Sequence, residues 1–224
     1  MGCTRRSVER VVSSVTCTGC AVGLRSSHAD ALNYFIGQNE SRKYGSPALP
    51  FTSVTTVPSD LILHPHGGEP LSMADQVTMF HLVLVVLDPY TIESSVLLET
   101  AGRILEEFAG ADCRAGWLVT ANETDASAFL GPWEQKFLTF CDPERTAVAA
   151  LGLESLPALI HIGGDLTIIG KAEGWEPSDW RVITTNLAKM MSWSKPTFPK
   201  SGDPAPFDGS PATGRDSEPE SETA

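Results

Sequence analysis

Residues 137–172 read FLTFCDPERTAVAALGLESLPALIHIGGDLTIIGKA. Three short apolar runs, FLTFC, ALIHI and LTIIGKA, have the length and the β-branched or aromatic content of strands. Between the first two lies DPERTAVAALG. There Asp142 is a ready helix N-cap, Pro143 suits the first helical turn and Gly152 can close the helix. GGD, between the second and third runs, is a hairpin signal. Pro157 stands where a strand opens, one of the few sheet positions a proline tolerates.

The chain before this stretch alternates in the same way. FHLVLVVLD, from Phe80, is apolar at every central position and reads as a strand buried on both faces. In SSVLLETAGRILEEFAG, residues Leu97, Leu98, Ala101, Ile104, Leu105 and Phe108 form one helical stripe that Gly110 can end. CRAGWLVT is a second strand, and ETDASAFLGPWEQK is a helix disturbed by Gly131 and Pro132. After the quoted stretch, PSDWRVITTNLAKMMSW is a last helix with Trp180, Ile183, Leu187 and Met190 or Met191 on one face. Alternation early and a hairpin late predict an α/β fold in three layers. Its mixed central sheet carries helices on both faces.

That order resembles the thioredoxin-like superfamily, and the residues from Phe137 to Lys171 carry the resemblance. It implies that Leu156–Pro157 is the family's cis-proline and Gly170 its late glycine. It also implies a C-x-x-C pair at the junction between the first central strand and its helix, where the helix N-terminus lowers a thiol pKa. In this chain the junction reads LDPYTIESSVLL, without a cysteine. Thr91, Ile92, Glu93, Ser94 and Ser95 occupy the place. Serine cannot form a disulfide. Ser94 and Ser95 are either a relic of an active pair or plain helix-capping residues. The body of the preceding strand is wholly apolar up to Asp88, so the buried acid of redox members is missing too.

The other cysteines offer weak substitutes. Cys17 and Cys20 do form a C-x-x-C pair, but about sixty residues before the domain and outside any strand–helix junction. As a zinc site they supply two ligands where four are usual, and His28, His64 and His66 stand at spacings of no standard module. Cys113 opens one strand and Cys141 closes another, at opposite ends of parallel strands. Neither a metal nor a cofactor is expected. There is no G-x-S-x-G for a serine hydrolase.

The scaffold keeps one ability without its cysteines: a loop that pairs with an extended peptide. The expected groove lies between Pro89–Ser95 and Leu156–Pro157, with Tyr90, Ile92 and Leu156 as apolar contacts and a protein or peptide as partner. The expectation is a redox-inactive binding or adaptor domain. The alternatives are a thiol–disulfide oxidoreductase using an atypical cysteine, or a chain that acts through its acidic tail.

Composition narrows the classes further. The 224-residue chain carries a net charge of -12 from 16 basic and 28 acidic residues. An acidic body argues against nucleic acid and anionic membranes as partners. No run approaches the roughly 18 apolar residues of a membrane helix. Five cysteines, an odd number, and no clear secretory leader point to a reducing cytoplasm.

Gly and Pro break residues 1–72 every few positions, so this segment reads as an irregular extension. With Gly67-Gly68-Glu69 just upstream, Met73 is a candidate translation start. The domain is expected over 73–195. Residues 196–224, rich in Pro, Ser and acid, read as a disordered tail.

Overall fold

The computed structural model describes residues 56–214. A five-stranded mixed sheet runs through the middle, in the order β5-β4-β3-β7-β8. Its strands are β3 (His81–Leu87), β4 (Cys113–Val119), β5 (Leu138–Cys141), β7 (Ala158–Ile162) and β8 (Ile168–Glu173). β3, β4 and β5 are parallel, whereas β7 and β8 join antiparallel.

Period-two alternation divides the core. Val83, Val85 and Leu87 face one side, where α2 (Ile92–Glu106), α3 (Glu123–Leu130) and α5 (Pro177–Met190) cover them. Leu82, Leu84 and Val86 face the other side, where α1 (Met73–Val77) and α4 (Thr146–Ala150) pack. All of the α-helices but α4 start where the sequence provides a side-chain cap. The Thr91 hydroxyl accepts from the Ser94 N–H, and the Asn122 carbonyl from the Asp125 N–H. Pro177 fills the first position of α5. At the C-cap of α5 it is Met191, not Met190, that packs against the core.

The start of α4 departs from expectation. Asp142 closes a turn that accepts the Arg145 N–H, and its carboxylate accepts from the Val148 N–H inside the helix. Arg145, left-handed at φ 55°, is the N-cap residue instead. A single four-residue turn therefore separates β5 from a helix of only five residues.

The expected boundaries also shift. Residues 56–72 belong to the fold. Val57, Leu61 and Leu63 are buried, and β1 (Ile62–Leu63) pairs with β2 (Leu71–Ser72). The N–H groups of Cys141 and His66 bond to His64 and Thr139 carbonyls, so this segment closes the β5 edge. The pattern was too short, and too broken by Pro58, Pro65 and Gly67, to show in the sequence. Met73 is fully buried, capped by Ser72 and bonded to Leu61. A chain starting at Met73 would lack these contacts. At the other end, residues 196–214 lie against the domain, through buried Phe198 and Ala212 and strand β9 (Ser210–Pro211). Cys17, Cys20 and His28 fall outside the described residues. So do 1–55 of the expected irregular extension and 215–224 of the expected disordered tail.

Candidate functional site

Leu156 and Pro157 meet the β3–α2 junction because β7 runs antiparallel to β3, with Ala158 opposite Val86. The Leu156–Pro157 bond is cis. The two halves of the expected groove thus lie side by side at one end of the sheet.

Within the junction the polar groups serve the backbone. Ser94 is fully buried, and its hydroxyl accepts the Asp88 N–H at 2.9 Å. Thr91 donates to the Asp88 carbonyl, and the Ser95 hydroxyl donates to the Thr91 carbonyl. Both serines therefore do structural work for the turn and the helix start. Asp88, also buried, accepts the Tyr90 N–H and pairs with Arg145 Nη2 at 2.8 Å. The Tyr90 hydroxyl donates to Asp125, which raises its pKa. Glu93 sits in the first turn of α2, where a negative charge is favourable. Tyr90 and Ile92 are the outward-facing apolar groups, 61% and 76% exposed.

The second half of the groove is not open. Leu156 is 0% exposed, within the core cluster that faces α1 and α4, and β6 (Ser155–Leu156) pairs antiparallel with β9 of the same chain. The Ala212 N–H bonds to the Glu154 carbonyl at 2.8 Å, and Arg145 Nη1 donates to the Ala212 carbonyl at 2.8 Å. Residues 203–214 thus form a strap over the edge that the sequence reading left free for a peptide. Neither Arg145 nor the strap was among the expected site residues. A pairing across more than fifty residues of Pro- and Gly-rich chain leaves no periodic signal.

The thiols lie elsewhere. Cys113 begins β4, and Cys141 pairs with Val119, six positions along that strand. The separation is about 20 Å along the strand, too far for a disulfide. Burial pushes each pKa up to about 11, aided by Asp112 at Cys113 and by Glu123 and Glu134 at Cys141. Cys141 also lines a cavity of about 710 Å³ with Leu61, Ile62, His64, Glu123 and Pro143, which none of the expected groove residues reaches. Among the described residues, no three His, Cys, Asp or Glu side chains gather as a metal site would require. His66 pairs with Glu134 instead.

His161, buried in β7, is only half satisfied. Its Nε2 meets His81 Nδ1 at 2.9 Å, while its own Nδ1 has no partner. The less costly tautomer leaves a bare acceptor there, so Nε2 is the donor. Burial and then His81 lower its pKa from 6.5 to about 4.

No protein-family model matches the sequence, and no curated protein matches it. Solved structures do match the fold. A hypothetical protein from Sinorhizobium meliloti 1021 aligns with TM-score 0.54 and 12% identity, over 72% of this chain and 94% of its own. A protein named as thiol:disulfide interchange protein DsbE, from Chlorobium tepidum, aligns with TM-score 0.52 and 14% identity, over 62% and 99%. A mutant PrxQ from Xylella fastidiosa aligns with TM-score 0.50 and 15% identity, over 61% and 96%. With the mixed sheet, its two helical layers and the strand order, these likenesses identify the domain as thioredoxin-like in fold.

Proposed function

We propose that this chain is a thioredoxin-like binding or adaptor domain that engages a protein or peptide without thiol–disulfide exchange. The observation that carries the reading is Ser94: at a junction without cysteine it is buried and bonded to the Asp88 N–H. Tyr90 and Ile92 supply the exposed apolar contacts beside it. The odd number of cysteines favours a reducing compartment such as the cytoplasm. Insulin reduction by the full chain, with dithiothreitol as electron source, tests the reading. The expected rate equals the protein-free control, and clear turnover overturns it.

The competing reading is a thiol oxidoreductase with an atypical cysteine, and the likeness to a DsbE-named structure is what favours it. Alkylation at pH 7 discriminates. Thiols held near pKa 11 carry about 100-fold less thiolate than one near 9. Cys113 and Cys141 should therefore label slowly, and fast labelling of either supports the oxidoreductase.

A further inference from the structure

Resting on the reading that this domain binds extended segments, we infer that the β6 edge is a peptide-docking surface kept closed by the chain's own C-terminal strap. The partner that fits it is an extended segment of another protein, carrying an aromatic residue, a glycine two positions later and a small residue three further on. That is the pattern Phe207, Gly209, Ala212.

Each position has a physical reason. Phe207 exchanges both backbone hydrogen bonds with Trp175, at 2.8 and 3.0 Å, and its side chain packs against the core. Gly209 has φ +90°, and a Cβ there would stand 2.7 Å from the Leu156 carbonyl oxygen. Only glycine accepts that backbone and that approach without strain. Ala212 is buried, so its site admits only a small side chain. Arg145 then joins the seated segment to the β3–α2 junction, with one guanidinium nitrogen on the Ala212 carbonyl and the other on Asp88. The remaining contacts are backbone ladder bonds, which any extended segment can make.

The strap is built to come off. Its ladder is two residues long, and Ala212 is its one buried residue from 199 to 214. Pro204, Pro206 and Pro211 have no N–H to donate. So little buried surface lets a segment open without the rest of the fold. Asp203 holds the root to α2 through Thr100 and Arg103, so release starts beyond it. An open strap leaves Ser155–Leu156 as an unpaired strand edge, which binds another strand.

The test uses the full chain and a fluorescein-labelled peptide of residues 204–214. Gly209→Val unseats the strap, while circular dichroism checks the fold. The variant should bind the peptide at least about ten-fold more tightly than wild type, because a tethered competitor acts at millimolar effective concentration. A peptide with its own glycine changed to valine should not bind. A folded variant without saturable binding, or with wild-type affinity, overturns the proposal.

Amide exchange on the unmutated chain decides the matter if the variant does not fold. The Ala212 amide should exchange at least about 100-fold faster than that of Val85. An equal rate means that the strap opens only with global unfolding, and overturns the proposal. Neither readout involves thiols. A folded variant that leaves insulin intact but binds no peptide sinks the strap as competitor and spares the redox-silent reading. Insulin turnover sinks that reading whatever the peptide does.

Discussion

The β3–α2 junction and the β6 edge lie side by side but are held in opposite ways. At the junction, Asp88, Thr91, Ser94 and Ser95 bond to one another across three to six residues of chain. At the edge, Leu156 is covered by residues more than fifty positions away. The turn at the junction is bonded within itself around buried Asp88 and Ser94, apart from the Asp88–Arg145 and Tyr90–Asp125 contacts, while the edge depends on a distant strap with one buried residue. The difference separates what is fixed at this end of the sheet from what can be exchanged.

Trp175 lies between the two modes, under the strap yet fully inside the core against Trp180 and Phe198. Trp175→Ala should cost about 3–5 kcal/mol, read from urea unfolding. A loss below about 1 kcal/mol would mean that the strap and the core are separate units. Acid should loosen the sheet without favouring the strap. Unfolded His161 takes a proton below pH 6.5, but the folded group resists until about pH 4. Stability from this histidine is thus intact above 6.5 and falls as pH drops towards 4. By pH 5 about 2 kcal/mol is gone. His161→Phe should flatten that slope, and core amides should feel it more than strap amides.

Ser94→Ala leaves the buried Asp88 N–H without a partner and should cost about 1.5 kcal/mol. Ser95→Ala, on an exposed side chain, should change stability by less than about 0.5 kcal/mol. If the two substitutions prove equal, the junction is not the internally bonded turn described above.

Much of this was legible in the sequence, for reasons that differ by region. β3 and β7 showed as apolar runs, and the stripe from Leu97 to Phe108 showed as a helix, because burial writes its period into neighbouring residues. The missing cysteines at Thr91–Ser95 needed only the strand–helix order to be located. Asp142 misled, because a good N-cap residue also makes a good turn. The segments 56–72 and 203–214 escaped because their pairings are two residues long and their composition imitates disorder. Arg145 escaped for another reason. Its two partners, Asp88 and Ala212, come together only after the chain has folded.

Trp175 also gives the molecule an optical reporter. Of the five tryptophans, Trp117, Trp175 and Trp180 are sealed from solvent, and only Trp175 donates its indole N–H to the strap, at the Pro204 carbonyl. When the strap lifts, that one indole meets water while the other two stay dry. The emission of the native protein, without any label, therefore reports whether the edge is free.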